Sequence, residues 1–144
     1  MMPVLPSNRE ACVCSTLRAA SRHISQLYDD ALAPLGLSIT SYSLLVKIDN
    51  LGTPSMNELA EAAVMDRSTL SRNLKPLLDL KAIGVKAGAD RRRKEFSLTS
   101  AGRALLNAAY PRWHDVQIRF RRAYGAAEAK ALTDLLGRAL AVQA

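Results

Sequence analysis

Apolar residues recur along this chain at two different spacings, and the changes of spacing mark its elements. From residue 8 to about residue 33, Cys14, Leu17, Ala20, Ile24, Leu27, Tyr28 and Ala31 return every three or four positions, as on one face of a helix. Pro34 and Gly36 end that run. A second helix starts at Ser38 or Thr40, turns Leu44, Leu45 and Ile48 inward and closes at Gly52. Ser55 N-caps a short third helix, Met56 to Ala63, and Glu58 three residues on gives a capping box. Asp66 N-caps a fourth helix, with Leu70, Leu74, Leu77 and Leu78 as its inner face. At about 100° per residue, Ser68, Arg72 and Lys75 project from the opposite side, flanked by Thr69 and Ser71. Pro76 removes the backbone bond to the Arg72 carbonyl, so a bend or a slack turn is expected there.

The spacing then falls to two. Ile83 and Val85 alternate, as do Phe96 and Leu98, which predicts a two-stranded hairpin with Gly88 to Lys94 as its loop. Thr99 caps a long helix whose apolar stripe is Gly102, Leu105, Leu106, Ala109, Trp113, Val116 and Phe120. Pro111 is expected to kink it and Gly125 to end it. Leu132, Leu135, Leu136 and Leu140 mark a last helix. The predicted fold is mainly α with a small β-hairpin: a winged helix-turn-helix over 38–99, between an N-terminal helix (1–37) and C-terminal helices (100–144). The outer helices carry large apolar stripes yet are separated by that central unit. A second copy, in a symmetric dimer, is the expected cover for them.

Charge sharpens this layout. The stretch from Arg67 to Lys94 holds nine of the twenty Lys and Arg residues and only two acids, Asp79 and Asp90. It therefore carries the chain's whole net charge of +7, and the remainder is neutral. A pI near 9.9 points to a polyanionic partner. Arg72 suits a bidentate contact to guanine, and Arg67, Ser68, Thr69, Ser71 and Lys75 suit bases or phosphates. The turn Asp90-Arg91-Arg92-Arg93-Lys94 places four consecutive bases at a hairpin tip, where they repel one another unless an anion is present. A narrow groove of DNA, with its strongly negative potential, fits that tip.

Other classes are disfavoured. The 49% apolar content argues against disorder, and no apolar run approaches the roughly 20 residues of a membrane span. No secretory signal is expected, and two cysteines make no disulfide framework. A cytoplasmic protein is the expectation. His23 and His114 have no metal-spaced partners, and no phosphate loop, zinc-protease motif or paired-carboxylate arrangement is present. No enzyme, cofactor or metal is expected.

Three segments in order resemble the MarR family of bacterial winged-helix regulators. They are LYDDALAPLGLSITSYSLL, MNELAEAAVMDRSTLSRNLKPLLDLKAIG and DRRRKEFSLTSAGRALL, the last with its D-x-R and L-T-x-x-G features. The resemblance covers nearly the whole chain. It implies a homodimer on a pseudo-palindromic operator in double-stranded DNA, with the fourth helix in the major groove and the wing in the minor groove. It places the wing arginine at Arg92 with Asp90 bracing it, and gives Arg91 and Arg93 phosphate or groove contacts. It also implies release by a small molecule or an oxidant.

Cys12 and Cys14 fit two descriptions. They are small hydrophobes of a kind often buried, or they sense oxidants. Cys14 stands at the reactive position of the organic-peroxide-sensing branch of that family, and Tyr28 matches one of its partner tyrosines. Ile39 and Arg18 replace two others. Cys12 and Cys14 lie about 200° apart on a helix, so pairing them requires the helix start to unwind. Cys14 and Tyr28 are roughly 21 Å apart along one helix and meet only across a dimer. An effector pocket is expected from Tyr28, Ile39, Tyr42, Leu45 and Trp113. The expected function is a sequence-specific transcriptional regulator, a repressor released by a ligand or by oxidation of Cys14. A thiol enzyme using Cys14 and a winged-helix protein-interaction module are the alternatives.

Overall fold

The computed structural model describes residues 12–90 and 92–143. Helix α1 (Val13–Leu32) leads through a 3-10 turn (Ala33–Leu35) to α2 (Ile39–Leu51), α3 (Met56–Ala63) and α4 (Arg67–Asp79). Strands β1 (Ile83–Ala87) and β2 (Lys94–Leu98) follow, then α5 (Ser100–Tyr124) and α6 (Ala126–Ala139). Residues 8–11, expected in the first helix, lie outside the described residues. Within them the helix begins at Val13, with Cys12 extended at its N-cap. Cys12 is therefore not helical, and the 200° divergence expected for the two cysteines does not apply.

Side-chain caps set the other helix starts. Ser38 accepts from the Ser41 N–H and so opens α2. Gly36, at φ +73°, makes the left-handed turn before it. The Asp29 carboxylate on α1 also accepts the Ile39 N–H at 2.8 Å, which ties α1 to the first turn of α2. Ser55 accepts from the Glu58 N–H at 3.2 Å. The Glu58 carboxylate faces Arg93 across the fold, so the expected capping box is present in one arm and Glu58 serves the wing with the other.

The core surrounds α2. Leu44, Leu45 and Ile48 are fully buried against Leu32, Leu59, Leu70, Leu74, Leu77, Ile83 and Phe96. Each such side chain contributes roughly 1.5–3 kcal/mol on leaving water. Two expected inner residues are not there. Leu78 is 40% exposed, because at about 100° per residue it sits at the edge of the Leu70, Leu74 and Leu77 stripe. Val85 is 42% exposed, because burial falls along β1 from Ile83 to Ala87 as the hairpin leaves the body.

Strands β1 and β2 pair antiparallel with Ile83 opposite Leu98 and Ala87 opposite Lys94. Lys94 is thus in β2 and not in the loop. Ser55 adds a one-residue bridge to Glu95, and the Phe96 N–H donates to the Pro54 carbonyl at 2.9 Å. These contacts dock the wing on the start of α3.

Both internal prolines are carried without interruption. Helix α4 continues through Pro76, whose carbonyl accepts the Leu80 N–H at 3.0 Å, and α5 continues through Pro111. Both prolines are exposed, so the carbonyls they leave unpaired lie on the watered side of each helix. Tyr42 stacks on Trp113 with ring centroids 5.8 Å apart, joining α2 to α5. No single helix among the described residues is long and apolar enough to cross a membrane. Helix α6 buries Ala129, while Leu135, Leu136 and Leu140 stay exposed, as do Val13 and Leu17 on α1.

Candidate nucleic-acid interface

Helices α3 and α4 are joined by a tight left-handed turn at Val64, with φ 54° and ψ 48°. The Met65 N–H reaches back to the Ala60 carbonyl at 3.0 Å and ends α3. This turn directs α4 so that Leu70, Leu74 and Leu77 face the core. Arg67, Ser68, Ser71, Arg72 and Lys75 are consequently exposed, and Thr69 is half-buried.

The first turn of α4 is organised by one carboxylate. Asp66 Oδ1 accepts the Thr69 N–H at 2.7 Å and the Ser68 hydroxyl at 2.8 Å, and Oδ2 accepts the Thr69 hydroxyl at 2.9 Å. These donors, the Thr69 backbone first, hold the Asp66 pKa down to about 2. The Thr69 oxygen in turn accepts from Arg72 Nη2 at 3.4 Å. One turn on, Lys75 pairs with Asp79 at 3.1 Å. The pair is exposed, so it holds Lys75 weakly.

The wing turn is built by Asp90. Its side chain accepts the Arg92 N–H at 3.1 Å, its carbonyl accepts the Arg93 N–H at 2.9 Å, and the Arg93 carbonyl accepts the Gly88 N–H at 2.7 Å. Asp90 thus braces the backbone that carries Arg92. Arg91, the other expected groove contact, lies outside the described residues. The Arg93 guanidinium folds back to Ser55 Oγ at 3.3 Å and to Glu58 Oε1 at 3.4 Å. Arg92 and Lys94 are exposed.

Helix and wing meet in a cleft of about 210 Å³ lined by Ser55, Met56, Asn57, Arg67, Arg92, Arg93 and Lys94. Four cationic side chains converge there. An anionic backbone is the ligand that such a lining fits. Asn57 was not singled out from the sequence. The polar first turn of a capped α3 was the available signal.

The five expected pocket residues do not converge. Tyr42 and Trp113 share a cleft of about 460 Å³ between α2 and α5, together with Lys47, Arg103 and Tyr110. Ile39 lines a separate hollow of about 230 Å³ beside α3. Tyr28 lines a third, of about 420 Å³, with α5 and α6. Leu45 is sealed in the core. Burial raises the Tyr28 pKa, and its hydroxyl donates to Gln117 of the same chain.

Cys12 and Cys14 are both exposed, so they are not buried hydrophobes. Hydrogen bonding, first from the Ser15 backbone, then from its side chain and the Cys14 backbone, lowers the Cys12 thiol pKa. Among the described residues no group of three or more His, Cys, Asp or Glu is placed to hold a metal ion.

A sequence model of the MarR family matches residues 37–88. The HTH-type transcriptional regulator SarZ of Staphylococcus epidermidis is 29% identical over 96 residues, which is 66% of this chain. The chain spans 65% of the length of that curated relative. Among solved structures, the transcriptional regulator MosR of M. tuberculosis in complex with DNA is 38% identical, with a TM-score of 0.79. That match covers 91% of this chain and 98% of MosR. A probable transcriptional regulator from Pseudomonas aeruginosa is 27% identical, with a TM-score of 0.80, over 88% of this chain and 95% of its own.

Proposed function

The chain belongs to the MarR family of winged-helix transcriptional regulators, and on that premise we propose that it binds a pseudo-palindromic operator as a homodimer and represses transcription. One observation carries the reading. Arg67, at the start of the exposed polar stripe of α4, and the basic wing turn open on one cleft, so a single anionic surface engages both. Residues 38–99 read the DNA. Arg67, Ser68, Thr69, Ser71, Arg72 and Lys75 face the major groove, and Asp90 to Arg93 serve the minor groove.

The segments 1–37 and 100–144 supply the dimer. Leu17 on α1 and Leu135 and Leu140 on α6 are apolar and exposed. A second copy buries them and sets the separation of the two recognition helices. An effector that changes that separation changes the fit to the operator. A small ligand entering the Tyr42–Trp113 cleft is one such effector, since this cleft spans α2 of the reading unit and α5 of the dimer unit. The protein works in the cytoplasm.

Oxidation is the second route of release, and the exposure of both cysteines favours it. The depressed thiol of Cys12 adds that residue to Cys14 as an oxidant target. Selection of bound duplexes from a random pool, with and without peroxide, tests the whole reading. A symmetric enriched site that is released by peroxide in the unaltered protein, but not in Cys12→Ser or Cys14→Ser, supports both arms. Enrichment with unchanged peroxide release in both variants removes the cysteines from the mechanism.

A further inference from the structure

We propose that Asp66 fixes the hydrogen-bonding sense of the first turn of α4, so that this end of the helix reads base amino groups: N6 of adenine or N4 of cytosine. The inference rests on the reading of α4 as the DNA-reading helix.

An ionised carboxylate only accepts hydrogen bonds, and a hydroxyl has one proton to give. The Ser68 and Thr69 hydroxyls both give theirs to Asp66, at 2.8 and 2.9 Å. Toward an incoming duplex they offer lone pairs. Thr69 spends one on Arg72 Nη2, at 3.4 Å, and so steers that guanidinium. Ser68 is exposed beside it.

The turn is therefore an edge of acceptors. Phosphate oxygens, guanine O6 and N7, and thymine O4 are acceptors too and find no donor in these hydroxyls. Cytosine N4 and adenine N6 are the donors that the major groove presents. Arg72, one helical turn on, is all donor and suits guanine. One turn rises about 5.4 Å against about 3.4 Å per nucleotide step. On the strand that carries the guanine, the half-site should then hold adenine or cytosine at one fixed position within about two of it.

The test is selection from a random duplex pool with the unaltered protein, Asp66→Asn and Ser68→Ala. Asparagine keeps the cap: its one carbonyl oxygen serves the Thr69 N–H and the Ser68 hydroxyl as Oδ1 does, while its amide nitrogen accepts nothing in the place of Oδ2, so the Thr69 hydroxyl is released to donate outward. The unaltered protein should enrich A or C at one position per half-site. Asp66→Asn should admit G and T there, with discrimination falling about fivefold, the size of one neutral hydrogen bond. Ser68→Ala removes the other hydroxyl acceptor and should lower the preference for A or C at the same position. Should Asp66→Asn fail to fold by circular dichroism, Ser68→Ala decides, being an exposed change outside the cap. Enrichment with the same base profile in the variants overturns this assignment alone, as does G or T at that position in the unaltered protein. No enrichment by the unaltered protein overturns the DNA reading together with it.

Discussion

Gly102 and Ala82 meet backbone to backbone: a Cβ on residue 102 would lie 1.8 Å from the Ala82 carbonyl oxygen. Beside this contact the Thr99 hydroxyl donates to the Lys81 carbonyl at 2.6 Å, and the Thr99 N–H donates to the Ala82 carbonyl at 3.1 Å. The Thr99 oxygen also accepts the Gly102 N–H at 3.0 Å and caps α5. Four residues thus knot the first turn of α5 to the entry of the wing. Gly102→Ala must push two backbones apart. The expected loss is roughly 1–3 kcal/mol or more, the range for overpacking a filled site. Urea unfolding checks it, and an unchanged midpoint would mean that the junction yields without cost.

Val64 holds φ 54° at the turn between α3 and α4, with 71% of its surface exposed. A β-branched residue is strained in that region by roughly 1–2 kcal/mol and has no burial there to offset it. Val64→Gly removes the strain at some cost in chain entropy. A net gain of about 1 kcal/mol is expected in thermal or urea unfolding. A loss of stability would show that the Val64 side chain packs usefully.

Asp66 gives a pH signature. Its folded pKa of about 2 lies below the ordinary value of 3.8. A depressed carboxylate stabilises the fold above its unfolded pKa, and that contribution is lost as pH falls through the folded one. Unfolding followed from pH 5 to about pH 2 should show the unaltered protein losing more stability below about pH 4 than Asp66→Asn does. Parallel curves would remove Asp66 from the acid response.

The elements themselves were legible in the sequence, because caps and apolar spacing are local. Ser38, Ser55, Asp66 and Thr99 each accept the backbone N–H three residues on. What spacing could not give was set by contacts between distant elements. Glu58 read as a partner of Ser55 and turned out to face Arg93, 35 residues on. Leu78 and Val85 had the right spacing, but Leu78 lies at the edge of the α4 stripe and Val85 lies where β1 leaves the core. The five pocket residues shared chemistry but sit on different sides of α2 and α5. The helix-and-stripe half of the candidate interface was readable, whereas the Asp66 network and the tether of Arg93 to α3 needed coordinates.

The wing arginines should differ. Arg93 is tethered to Ser55 and Glu58, and its charge is partly answered by the Glu58 carboxylate. Arg92 is exposed on a turn held by Asp90. Alanine at Arg92 is expected to reduce the slope of log affinity against log salt by about one per site, the loss of one phosphate contact. Alanine at Arg93 should reduce it less. Titration of the selected duplex by fluorescence anisotropy compares them, and equal slopes would mean that the Arg93 tether opens on DNA.

The most direct test of the central claim is the affinity of the unaltered protein for its selected duplex across a salt series. A dimer that sets two copies of α4 and the wing on the backbone makes several phosphate contacts in each half. Its affinity should then fall about a thousandfold or more between about 50 and 200 mM salt, linearly on logarithmic axes. An affinity that stays flat over that range would contradict the assignment of α4 and the wing to DNA.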